Sequence, residues 1–239
     1  MLPFSQIIDR VRTLNEAESA VRWSNSAIGD SVNEGVEDLS ELTRFYERHV
    51  TIPIGNRRNY YDLRGYLPEN ALGVTSVWSS LTETWLNPRT PQDMKSRWEQ
   101  AVGSPQDFFM RGLFWMVVWP RPEASTGYLR IYFAATAPRF TFPQDVIRDL
   151  SDEFVPAIEE YGLYELAAQD GETTRALLHW QQYSAKAEEI ARARGCVGIR
   201  LDTVSFQAPD FYSRHGYTEF GRIDDYPPGH ARLWFMKRF

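Results

Sequence analysis

The sequence predicts an α+β protein, on three observations. Apolar residues recur at helical spacing near the N-terminus and again over 174–194, β-branched and aromatic runs fill 113–134, and the last quarter alternates strand, short helix, strand and strand. A chain of 239 residues, 43% hydrophobic and 24% charged, has the composition of a globular protein, and its length predicts two domains.

Taken in order, Ile7, Val11, Leu14, Ala17 and Val21 recur at three- and four-residue steps and predict a helix from Phe4 to Ala27. Leu39, Leu42, Phe45 and Tyr46 predict a second from Val36 to Val50. From Thr51 to Pro88 the pattern turns irregular, punctuated by Pro53, Gly55, Gly65, Pro68 and Gly73, with aromatic residues suited to core packing or to a cavity wall. Leu113–Trp119 and Gly127–Ala134 read as two strands of a hairpin joined through Pro120–Thr126. Val146, Leu150, Phe154 and Ile158 then predict a helix from about Pro143 to Tyr161.

Asp170 and Gly171 form a turn signal, so the expected division is a domain over 1–165 and a second over 170–239. Thr173 or Thr174 can cap the helix that follows, which runs to Arg194 and ends at Gly195. A strand is expected over Val197–Thr203, a short helix over Pro209–His215, and strands over Tyr217–Arg222 and Arg232–Lys237.

Net charge narrows the partners. At −6, with no stretch rich in Lys or Arg, nucleic acid is not an expected partner. No signal peptide and no run of about 18 apolar residues is present, so no membrane contact is expected, and the single Cys196 fits a cytoplasmic location. No Cys/His spacing for a metal, no Gly-x-Ser-x-Gly and no Gly-Lys-Ser/Thr loop occurs. His215 and His230 are read as packed or solvated side chains, and Asp224 and Asp225 as turn formers.

The segment with chemical content runs from Leu201 to Tyr217. Ala208, Phe211, Tyr212, Gly216 and Tyr217 fall on the spacing Asn-x-x-Ala-x-x-aliphatic-Tyr-x-x-x-Gly-aromatic, with Ser205 in place of Asn. Asp225-Tyr-Pro-Pro-Gly-His230 before the last strand extends the pattern. On these residues the C-terminal part, about 175–239, resembles the GNAT-type N-acetyltransferase family. Over 105–161 the two strands and following helix resemble more loosely the end of a GAF-type sensor or of the ligand-binding domain of LuxR-type regulators.

The transferase resemblance implies a GNAT-like half packed with an α+β N-terminal part. It implies an acyl-CoA-dependent N-acyltransferase, with acetyl-CoA or another acyl-CoA as cofactor, a small amine as substrate and Tyr212 as general acid. A phenol with a pKa of about 10 can return a proton to a departing thiolate. The resemblance also implies a glycine-rich phosphate loop at the start of the long helix, because only glycines let successive N–H groups close on a phosphate. Gly171, Thr173, Thr174 and Arg175 stand nearest that place, and Ser205 joins them as a candidate cofactor contact. The loop departs from the family pattern, since Gly171 is its only glycine and Asp170 and Glu172 flank it. The strand expected before it is represented only by Leu163-Tyr-Glu-Leu. The alternative is a non-catalytic small-molecule-binding sensor or scaffold with a degenerate transferase half. A homodimer is compatible with either.

Overall fold

The computed structural model describes residues 2–18, 22–93, 98–123, 126–205 and 210–239. It is an α+β fold whose backbone contacts divide the chain into two units, residues 1–43 with 140–239, and residues 44–139. The cuts fall at 43/44 and 139/140, and residues 165–169 form the end of a helix of the first unit.

In the first unit, helix α1 spans Phe4–Glu18 and α2 spans Asn25–Thr43. The continuous helix expected to Ala27 is therefore two. The Ser24 hydroxyl accepts from the Ala27 N–H at 3.1 Å and opens α2 afresh. The helix expected over 36–50 is likewise corrected. α2 begins eleven residues earlier and stops at Thr43, where Arg44 adopts φ +52° and turns the chain out of the helix. Ile7 and Val11 of the first spacing and Leu39 of the second are buried, together with Ile28, Val32 and Val36, whereas Leu14 of the first spacing is exposed.

The helix expected from Pro143 begins later. Asp145 accepts from the N–H groups of Thr141 and Phe142, both at 2.7 Å, and closes a turn; these bonds hold its carboxyl below the ordinary value. A short 3₁₀ turn at Asp152–Phe154 leads into α3, Val155–Gln169, with Pro156 in its first turn. Leu163 to Leu166, expected as a strand, is helix here, because Ile158, Leu163, Leu166 and Ala167 all bury against neighbouring helices. Helix α4, Thr173–Ala193, lies beside α3 and ends at Gly195 with φ +80°. Its N-cap is Glu172, so neither threonine caps it.

Strand β9, Gly198–Val204, helix α5, Asp210–Arg214, and strands β10, Thr218–Asp224, and β11, Ala231–Arg238, complete this unit in the expected order. They form an antiparallel sheet in the order β10-β11-β9. Ala231, Leu233 and Phe235 alternate on its inner face with Tyr217, and Ile199 and Tyr212 pack beside them.

The second unit is two four-stranded sheets. One runs β1-β8-β3-β4, with β1 Glu47–Pro53, β3 Ala71–Ser79, β4 Thr84–Trp85 and β8 Tyr128–Ala135. The other runs β2-β7-β6-β5, with β2 Tyr60–Asp62, β5 Asn87–Pro88, β6 Asp107–Arg111 and β7 Trp115–Trp119. Ile52, Val77, Leu129, Ile131 and Phe133 of the first meet Phe108, Met116 and Val118 of the second in one core.

The expected hairpin between the two central runs is thus corrected. Both are strands, but β7 pairs with β2 and β6 while β8 pairs with β1 and β3. Each run alternates one apolar face toward the common core from opposite sides, which a hairpin within one sheet would not allow. The likeness to GAF-type and LuxR-type sensors rested on that hairpin and is not supported by the topology.

Candidate functional site

Tyr212 lies on α5, half-buried, with its ring 5.5 Å from that of Phe235 and 5.9 Å from that of Tyr217. Tyr217 is buried and donates to Glu188 Oε1 at 2.9 Å. Lys237 Nζ meets the other oxygen of Glu188 at 2.6 Å. Burial first, then the Glu188 carboxylate and the Tyr217 hydrogen bond to it, raise the Tyr217 phenol well above its ordinary value. The sequence therefore folds α5 and the start of β10 onto the last turns of α4 through one buried carboxylate. Tyr212 faces this aromatic corner and stands within electrostatic reach of Tyr164 on α3, whose phenol is raised by burial, by Glu165 and then by Tyr212.

Ser205 ends β9 as a backbone clamp. Its N–H donates to the Ala231 carbonyl at 2.8 Å and its hydroxyl accepts from the Ala231 N–H at 3.1 Å, closing the β9–β11 pair. Ala208 lies outside the described residues, and for Phe211 only the backbone in α5 is described.

Gly171, Thr173, Thr174 and Arg175 come together at the far end of α4, on a broad depression of about 920 Å³ that Leu177 and Leu178 also line. Arg175 precedes Glu188 by thirteen positions, about 20 Å along the helix at 1.5 Å per residue. The fit of this turn to a pyrophosphate is poor. The N–H groups of Asp170, Gly171, Glu172 and Thr173 donate to the carbonyls of Leu166, Ala168, Ala167 and Gly171, at 2.9 to 3.1 Å. Arg175 sits between Asp170 at 3.4 Å and Glu172 at 2.8 Å and also reaches Asn15 at 3.3 Å. Four N–H groups of the turn are thus already engaged, and the carboxylates of Asp170 and Glu172 oppose an anion there.

The cleft implied by the resemblance has a second wall, a parallel strand beside β9. Among the described residues β9 pairs with β11 alone, and the segment preceding α4 is helix α3. The residues present do not fit coenzyme A in the manner of that family. Asp225 accepts from Gly229 N–H at 2.6 Å and Asp224 pairs with Arg222 at 2.7 Å, so both acids serve the turn. No group of three or more His, Cys, Asp or Glu suited to a metal occurs among the described residues, and no helix there is long and apolar enough to cross a membrane.

One polar cluster escaped the sequence reading. Glu160 on α3 accepts from Lys186 at 3.0 Å, pairs with His179 Nδ1 at 2.9 Å and, with the Gln182 amide nitrogen turned toward it, accepts from Gln182 at 2.7 and 2.9 Å. His179, Gln182 and Lys186 form a visible stripe on α4 at spacings of three and four, but their partner lies on another helix. Tyr183 of the same helix donates to Asp38 of α2.

The sequence model of the SU10 adaptor protein family matches residues 2–228. The chain belongs to the SU10 adaptor protein family. Within this family member, a shorter stretch is similar to enzymes. It is 42% identical over 55 residues to the acetyltransferase Atu2258 of Agrobacterium fabrum, covering 23% of this chain and 40% of that protein. It is 52% identical over 46 residues to the blasticidin-S acetyltransferase of Streptomyces morookaense, covering 19% and 34%. A 1.9 Å crystal structure of an acetyltransferase from Bacillus cereus shares 41% identity over 31% of this chain and 49% of its own, with a TM-score of 0.24. The chain thus spans roughly a third to two fifths of the length of the curated relatives it matches. The adaptor-family chain therefore carries an acetyltransferase-like region.

Proposed function

We propose that the protein acts as an adaptor, a folded scaffold that joins other proteins, in which the acetyltransferase-like region is a packing module. The observation that carries this reading is the turn before α4. The N–H groups of Asp170, Gly171, Glu172 and Thr173 donate to carbonyls of the same turn and the preceding helix, and Arg175 lies between Asp170 and Glu172, two carboxylates that oppose a phosphate. Family membership over 2–228 supports it.

Calorimetric titration of the full chain with acetyl-CoA tests the absence of a cofactor site. No heat and no change in melting temperature are expected; saturable binding that is lost in Arg175→Ala would overturn it. Cross-linking of the protein in its native setting, read by mass spectrometry, tests the joining role. Recurrent cross-links to one defined partner are expected, and recovery only as an uncross-linked monomer would count against it.

A second reading rests on the 42% and 52% identities to acetyltransferases. In it the protein is an acyl-CoA-dependent N-acyltransferase for a small amine, with Tyr212 as general acid. Thiol release from acetyl-CoA with a panel of amines, abolished in Tyr212→Phe, would support this reading over the first.

A further inference from the structure

The outward face of the β1-β8-β3-β4 sheet is built from rings. Cross-strand register places His49 beside Tyr132 and Ser76, and Thr51 beside Arg130, Trp78 and Trp85, with Tyr128 following on β8. Their neighbours Val50, Ile52, Val77, Leu129 and Ile131 point the other way into the core. Trp78 lies 5.8 Å from Tyr128, Trp85 lies 5.2 Å from Tyr132, and His49 lies 5.3 Å from Tyr132, all tilted. Cross-strand aromatic pairs stabilise a sheet, yet these are not covered: Trp85 is 55% and Tyr128 36% exposed. Three successive rows along β8 and four strands across give a platform of roughly 13 by 14 Å.

Arg130 stands at its centre. Its guanidinium carbon lies 5.8 Å from the Trp78 ring, its Nε is buried with no hydrogen-bond partner, and among the described residues no carboxylate pairs with it. The surrounding unit is basic although the chain is acidic. Residues 44–139 hold twelve Lys or Arg against eight Asp or Glu, a net charge of +4, and the rest hold fourteen against twenty-four.

We propose that this face binds an acidic polysaccharide, with the apolar faces of its pyranose rings stacked on Trp78, Trp85, Tyr128 and Tyr132 and a carboxylate seated on Arg130. Aromatic rings offer large contact area at small entropic cost, and a pyranose presents a flat face of C–H groups to such rings. Arg130, the one Lys or Arg among the described residues of this face, fits a polymer with sparse, fixed carboxylates. A nucleic acid would call for a track of cations matched to every phosphate, which this face does not hold. The site is independent of the adaptor reading.

Affinity electrophoresis and tryptophan fluorescence of the full chain with polygalacturonate test the proposal, with neutral dextran and a short oligothymidylate as comparisons. Retardation by polygalacturonate alone is expected, weakened about tenfold in both Trp85→Ala and Arg130→Gln. Trp85 is more than half exposed, so the first variant keeps the wild-type melting temperature. Absence of retardation would overturn the proposal, as would equal binding of dextran or tighter binding of the oligonucleotide. Concentration-dependent self-association in sedimentation velocity that vanishes in Trp85→Ala would also overturn it, by assigning the face to a second copy of the chain.

Discussion

Tyr217 donates to Glu188 at 2.9 Å, and through that bond the C-terminal sheet is anchored to α4. Lys237 engages the other carboxylate oxygen, so Glu188 is buried with both oxygens occupied. Tyr217→Phe keeps the ring and removes one donor to a buried charge, which is expected to cost about 1–3 kcal/mol. Urea denaturation measures it; a variant with the wild-type midpoint would remove Glu188 as the anchor. Glu188→Ala, which strips both partners of their acceptor, is expected to cost more.

Glu160 makes stability sensitive to acid. Burial alone would raise its carboxyl, but the bonds from His179 and Lys186 outweigh that and hold it below its ordinary 4.5. A depressed folded-state value means the stabilisation is fully present above pH 4.5 and is lost as pH falls through the folded value. Glu160→Gln is expected to be less stable near neutrality by about 1–3 kcal/mol, with the gap closing on acidification. Parallel denaturation series at several pH values measure this; a gap that widens in acid would contradict it.

Gly171 holds φ +75° in the α3–α4 turn, and no heavy atom lies within 4 Å of where a Cβ would stand. Gly171→Ala therefore meets conformational strain and no clash, an expected loss of about 1 kcal/mol. Gly171→Asn is expected to lose less, since Asn tolerates the left-handed region. Thermal unfolding of the two variants checks the order.

Tyr212 separates packing from chemistry. Its ring contacts Phe235 and Tyr217, so Tyr212→Phe, which keeps that ring, is expected to lose less stability than Tyr212→Ala. Tyr212→Ala is expected to lose about 3 kcal/mol by emptying that corner. Calorimetric melting of both variants gives the comparison, and a Phe variant as unstable as the Ala variant would place the energy in the hydroxyl.

Legibility followed the range of the interactions. Helix α4 and the β9-α5-β10-β11 order were readable because each element carries its own period, its own breaker such as Gly195, and a local motif. Helix α3 was misplaced because Asp145 closes a turn with Thr141 and Phe142 inside an apolar pattern that looks helical. Strand β1 was hidden because the helix expected from Leu39, Leu42, Phe45 and Tyr46 ran on to Val50, over residues 47–50 that pair with β8 instead. The turn before α4 is short of glycine in the sequence itself, but the partners of its side chains are not visible there. Arg175 meets Asp170 and Glu172 nearby in sequence and Asn15 at the other end of the chain.

By itself the sequence determined the α+β class, the last helix and the closing sheet, and the motif around Tyr212, because these depend on neighbours within a few turns of chain. The tertiary structure decided the rest. It put β7 and β8 in opposite sheets, turned the rings of Trp78, Trp85, Tyr128 and Tyr132 onto one outward face, and brought Glu160 to His179 and Lys186. The physical reason is common to all three. A side chain's partner across a sheet or between helices is chosen by which apolar faces bury together, and that choice is made by the whole core.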